Sequence, residues 1–138
     1  ELGRRVRAEK VEEQHRLRSP ADIYEYMLPR NGHLGYEEFW VLYLNQASAL
    51  IKADRVSQGG LTMTAVDVRL ILKQALELSA TSLILCHNHP SGDVVPSRMD
   101  DQLTRQLCEA ARLLNIHVTD HVVISRNSYY SYQEEGRL

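Results

Sequence analysis

The sequence is short of several things that would have fixed its class at once. It has two cysteines in 138 residues, Cys86 and Cys108, and they form no CxxC pair. A disulfide framework of the kind that holds small secreted domains together is therefore excluded. Neither charge dominates: sixteen Lys+Arg stand against eighteen Asp+Glu, a formal net charge of -2. Without a basic field, sequence-independent binding to nucleic acid is a poor expectation for this chain. No apolar run approaches the ~18–20 residues that a membrane span requires. Glycine (7) and proline (4) are sparse, and there is no low-complexity segment or internal repeat. What is present, 43% apolar and 25% charged residues, is ordinary for one globular domain with a single core.

Residues 1–18 carry six positive and four negative charges and little apolar periodicity. They read as a solvated leader helix or linker from a preceding region, with the domain proper over 19–138. The charged opening is unlike a secretory leader, and the lack of an initial Met suggests a longer or processed chain. Ser19-Pro20 is a helix start, with Ile23, Tyr24, Met27 and Leu28 on one face and Pro29-Arg30-Asn31-Gly32 as the stop. Phe39–Leu44 reads as a buried strand, Asn45–Ser48 as a turn and Ala49-Leu50-Ile51 as a partner strand. Val66, Leu70, Leu72, Ala75, Leu76 and Leu78 show helical spacing, with Thr64 as the N-cap. Thr81–Cys86 is a short buried strand, and Cys86 within it is a buried hydrophobe rather than a reactive thiol. Leu103, Leu107, Ala110, Ala111 and Leu114 mark a long amphipathic helix. Val118–Ile124 and Ser128–Tyr132 close the chain as strands. The order predicts an α/β sandwich, a mixed sheet with helices packed on it. Unpaired cysteines point to a reducing, cytoplasmic compartment.

The chemistry lies in the loop that follows the Thr81–Cys86 strand, His87 to Asp100. Side chains at i and i+2 of an extended backbone point the same way, so His87 and His89 can converge on one point. The Pro/Gly stretch between can fold Asp100, at the next helix start, back towards them. Two His and one Asp leave a fourth position for water, the arrangement of a catalytic zinc site. There is also a purely structural reading. Ser97 and Asp100 form an S-x-x-D capping box, and a carboxylate on a metal is not expected to reach back fully to the N-cap amide. His15 and His33 read as surface residues. His117 and His121 fall on one face of the late strand, with His121 a supporting or structural residue rather than a catalytic one. The closing tyrosines read as sheet packing.

His-x-His, seven residues, Ser, two residues, Asp resembles the JAMM motif of MPN-type metalloproteases at every fixed position. The longer string His87-Asn88-His89-Pro90-Ser91-Gly92 with Pro96-Ser97 is similar to one branch, the RadC-like proteins. Glu1–Arg5, Asp120-His121-Val122-Val123-Ile124 and Tyr130-Ser131-Tyr132 with Gly136 extend the resemblance over nearly the whole chain. It implies an MPN/JAMM-like fold of cytidine-deaminase-like architecture and a Zn2+-dependent hydrolase acting on a peptide or isopeptide bond. His87, His89 and Asp100 would ligate the metal and Ser97 would hydrogen-bond the oxyanion. A glutamate from an early strand would be the general base, with the adjacent Glu37 and Glu38 as candidates. The RadC-like pattern sets it two positions before the Phe, which selects Glu37 over its neighbour Glu38. Two other functions compete. One is a non-catalytic RadC-like module in a DNA-repair-associated assembly. The other, ranked last, is a metal-dependent nuclease, which would want a richer carboxylate cluster.

Overall fold

The computed structural model describes residues 15–59 and 66–138. In chain order the elements are α1 (Pro20–Asn31), β1 (Glu38–Leu44), β2 (Leu50–Gln58), α2 (Val68–Glu77), β3 (Ser82–Asn88), α3 (Arg98–Leu113), β4 (His117–Ile124) and β5 (Tyr129–Ser131). The five strands make one mixed sheet in the order β2-β1-β3-β4-β5, with β3 and β4 parallel and the other pairs antiparallel. A parallel pair needs a crossover, and α3 supplies it. The expected mixed α/β architecture is the observed one.

Strands β1 to β4 feed two cores through their alternating side chains. On one face Phe39, Val41, Tyr43, Leu83, Leu85 and Val118 pack under α2 and α3, through Ile71, Ala75, Leu103, Leu107 and Ala111. On the other, Leu42, Leu44, Ile84, Cys86, Val122 and Ile124 meet Leu17 and the α1 residues Ile23 and Met27. No described helix is long and apolar enough to cross a membrane.

Several local expectations need correction. Helix α1 runs through Pro29 to Asn31; a proline near the C-terminus removes a single helical hydrogen bond, and the ladder ends soon after it. Strand β2 is much longer than the Ala49-Leu50-Ile51 stub. As an edge strand it is only half-buried, so its sequence lacks the apolar run that marks β1. The expected N-cap Thr64 lies outside the described residues, and the cap of α2 is Asp67, whose side chain accepts from the Arg69 N–H. Leu70 and Leu76 are exposed, while Ile71 takes the core position. Strand β3 continues through His87 and Asn88, so His87 lies in the strand and not beyond it.

The register of β3 on β4 shifts by one residue: Leu83 faces Val118, whereas Ile84 faces Asp120. Thr119 is the extra residue of this bulge, and it resets the alternation of β4. His117 and His121 therefore do not share a face. His117 is exposed, and His121 is buried on the α3 side.

Candidate metal centre

The pairing of β1 with β3 places Phe39 opposite His87, so two residues earlier Glu37 lies across from His89. Alternation then sends the neighbouring glutamates to different faces. Glu38 points to the α1 side, where it is buried, accepts from the Trp40 indole N–H at 3.0 Å and pairs with Arg55 at 3.3 Å. The Glu37 carboxylate joins His87 and His89, with ligand atoms of all three within 4.8 Å of one another. Such a group could hold a metal ion.

Asn88, between the two histidines, points the other way and braces this arrangement. Its Oδ1 accepts from the Glu38 N–H at 2.7 Å and its Nδ2 donates to the Tyr36 carbonyl at 2.9 Å. The Glu37 carbonyl in turn accepts from the Gly59 N–H at 2.7 Å. The backbone on both sides of Glu37 is thus fixed to β3 and to the end of β2. Nothing in the sequence marked Asn88 for this; only the register shows it.

The imidazoles converge through Nε2. His87 Nε2 lies 3.0 Å from His89 Nε2, and Asp100 Oδ2 lies 3.3 Å from the first and 3.5 Å from the second. His89 Nδ1 donates to the Asp93 carbonyl at 2.8 Å, which leaves its Nε2 facing the cluster. His87 is fully buried, Asp100 nearly so, and His89 is partly open to solvent. Burial alone would raise the Asp100 carboxyl, but hydrogen bonds from His87 and His89, with the Ser97 N–H, outweigh it and hold it well below the usual carboxylate range. The same carboxylate holds the His89 imidazole above its ordinary value, against desolvation.

Ser97 caps α3, and its capping box is complete. Ser97 Oγ accepts from the Asp100 N–H at 3.1 Å, and Asp100 Oδ2 accepts from the Ser97 N–H at 2.7 Å. The oxygen that meets the histidines is the one that reaches back to the cap. The capping and metal-site readings of Asp100 are therefore compatible, contrary to the sequence-level expectation. The cap also explains why Asp100 is aimed so well, since it locks the carboxylate to the helix start. Ser97 Oγ caps with a lone pair and stays exposed, so its hydroxyl proton is free to donate.

Behind His87 lies His121, fully buried, with Nε2 2.8 Å from His87 Nδ1. Tyr132 stacks on it at 4.8 Å between ring centroids, and Phe39 meets its edge. Its other nitrogen faces the Thr104 hydroxyl, one helical turn beyond Asp100. Cys86 is buried on the opposite face, where burial pushes its thiol well up. His15 and His117 lie far from the cluster in sequence and are exposed.

A mixed sheet flanked by helices, with two histidines and carboxylates gathered at the end of a central strand, defines a JAB-type domain. The model of the RadC-like JAB domain matches residues 17–137, and the chain belongs to that family. It is 46% identical over 136 residues to a UPF0758 protein of Flavobacterium johnsoniae, covering 99% of this chain and 59% of that protein. It is 43% identical over 122 residues to one of Symbiobacterium thermophilum, covering 88% and 52% respectively. A third, of Porphyromonas gingivalis, is 39% identical over 139 residues and 61% covered. The chain thus spans between half and three-fifths of the length of these relatives.

Proposed function

We propose that the domain is a zinc-dependent hydrolase that cleaves a peptide or isopeptide bond. The observation that carries this reading is the triangle formed by His87 Nε2, His89 Nε2 and Asp100 Oδ2, with edges of 3.0, 3.3 and 3.5 Å. Ligands at about 2.0–2.2 Å around a tetrahedral zinc are separated by roughly 3.3–3.6 Å, so the triangle has close to the size of one face of that tetrahedron. Two neutral imidazoles and one carboxylate suit zinc and leave a fourth position open. A zinc ion held there supplies an acidified water and polarises the scissile carbonyl.

The remaining work falls to the protein. Glu37 is less buried than Asp100 and takes the role of general base. It receives the proton of the attacking water and later passes it to the leaving amine. Ser97 donates its free hydroxyl proton to the oxyanion, while its lone pair stays engaged in the cap. Asp100 is the third ligand, because a single oxygen reaches both histidines. Both cysteines are free, which fits a reducing, cytoplasmic setting. The substrate is a peptide or protein, and the activity of the longer relatives is part of the same proposal.

Protein purified without chelator and analysed for metals is expected to carry about one zinc per chain. Stripped protein should take up one equivalent on titration. Absence of metal together with no uptake overturns the zinc reading. If the zinc-loaded chain cleaves nothing across a broad peptide and isopeptide library, the hydrolase reading falls for this chain in favour of a metal-binding, non-catalytic module.

A further inference from the structure

We propose that the mouth of the metal cluster selects an extended peptide with a bulky apolar side chain within two residues of the bond to be cut. Tyr36, Val95 and Met99 are the residues that select it. The inference deepens the hydrolase reading and rests on it for its cleavage arm. It begins from where the cluster meets solvent. His87 and Asp100 are buried, whereas His89 is partly open, Glu37 is half-buried and Ser97 is exposed. A substrate therefore approaches from the side of these last three.

Most large apolar side chains of the domain are inside it. Eight among the described residues are exposed, and three of the eight flank the cluster. Tyr36, 43% exposed, precedes Glu37; Met99, 37% exposed, precedes Asp100; Val95, 65% exposed, lies two residues before Ser97. One chain step is about 3.8 Å between Cα atoms and two steps are at most about 7 Å, so each lies close to the group it flanks. None of the other five stands within two residues of a cluster member. Single apolar residues on a surface need no explanation, but these three come from separate pieces of backbone and meet at one place.

Tyr36 stands on the β1 side of the cluster, Val95 and Met99 on the α3 side, and all three are anchored. The Tyr36 carbonyl accepts from Asn88 Nδ2 at 2.9 Å. The Val95 N–H donates to Asp93 Oδ1 at 3.1 Å, and the Asp93 carbonyl accepts from His89. Met99 lies between Ser97 and Asp100, the two partners of the capping box. The rim is thus preformed, which lowers the ordering cost of binding. Charge gives no competing preference, since Asp93 and Arg98, the exposed charged residues between Pro90 and Met99, are opposite in sign. Side chains of an extended peptide advance by about 3.3 Å per residue. A rim one or two chain steps from Glu37, Ser97 and Asp100 therefore meets the side chains within two residues of the cut bond.

Blocked hexapeptides varied at one position and offered to the zinc-loaded chain test this. Those with Leu, Met or Phe within two residues of the cut bond should have kcat/KM at least about tenfold above those with Gly or Asp there. Val95→Ser and Met99→Ser should each shrink that ratio, and Val95→Lys should turn the preference towards Asp and Glu. Zinc content should stay at about one per chain in all three. Cleavage without apolar preference, or a preference unchanged in the variants, overturns the inference and leaves the hydrolase reading standing. If nothing is cut, binding decides. In 15N-labelled Glu37→Gln protein, acetyl-Ala-Ala-Leu-Leu-Ala-Ala-amide should shift the backbone amides of Tyr36, Val95 and Met99, and the same peptide with Asp for both leucines should not. Those shifts without cleavage mean that the hydrolase reading falls and the apolar site stands. Without cleavage, shifts elsewhere or none overturn both.

Discussion

The two faces of the sheet are made from alternate residues of the same strands, yet they differ in kind. The α1 face is apolar along most of β1 and β3, with Leu42, Leu44, Ile84 and Cys86 packed on Ile23 and Met27. The α2/α3 face is equally apolar at its lower half, then gives way to His87, His121, Asp100 and Thr104, all buried. Buried polar groups are tolerated only when partnered. On this face each of the four has a hydrogen-bond partner among the others, so the cluster stands or falls together. The difference teaches that the site is an extension of one core, built where that core reaches the end of β3.

Adjacent residues of β3 give the sharpest way to break the comparison. His87→Ala should reduce bound zinc from about one per chain to none by elemental analysis. Cys86→Ser, one residue away on the other face, should leave the metal content unchanged. Loss of zinc in the serine variant would mean that the faces are not independent. The glutamate pair comes next. Glu37→Gln should retain fold and zinc while lowering hydrolysis by about 10²–10⁴, the range for removal of a general base. Glu38→Gln should leave turnover within a few-fold, because its carboxylate serves Trp40 and Arg55. The reverse result would exchange their roles.

Each side also has a serine cap. Ser97→Ala and Ser19→Ala should each cost about 1 kcal/mol in urea denaturation. Only the first should also reduce turnover, through loss of the oxyanion donor. The smallest effect belongs to Asp120, buried on the α1 side of the sheet. Burial raises its carboxyl above 3.8, against hydrogen bonds from Ser131, the Gln133 N–H and the His121 N–H. Above pH 3.8, and up to its raised native value, the folded state holds a proton that the unfolded chain has released. Stability from this group therefore falls as pH rises through that window, by at most about 1.4 kcal/mol per pH unit. Asp120→Asn should remove that slope from urea midpoints measured across the window. An unchanged slope would show that Asp120 is not its source.

Much of this was legible in the sequence because the signals were local. Ser19-Pro20, the β-rich run Phe39–Leu44 and the spacing of Leu103, Leu107 and Ala111 each specify an element within a few residues. The convergence of His87, His89 and Asp100 was legible for the same reason, since strand alternation and a helix cap place all three. What escaped depends on partners distant in sequence. Strand β2 is an edge, so its burial is set by β1 alone and leaves no apolar run. The bulge at Thr119 exists only in the pairing of β4 with β3, and without it His121 could not be told from His117. The brace from Asn88 to Tyr36 and Glu38 spans about fifty residues. The double duty of one Asp100 oxygen is a matter of ångströms that no spacing rule conveys.

The parallel pairing of β3 with β4 also bears on the order of events during synthesis. His87, His89, Ser97 and Asp100 all emerge before the strand that carries His121, and that strand can dock only after α3 has crossed over the sheet. A nascent chain cut short at the end of α3 would contain Glu37, His87, His89, Ser97 and Asp100 but not His121, which lies 2.8 Å behind His87 in the folded domain. The buried polar cluster that ends the α2/α3 core is therefore completed only when the last strands dock.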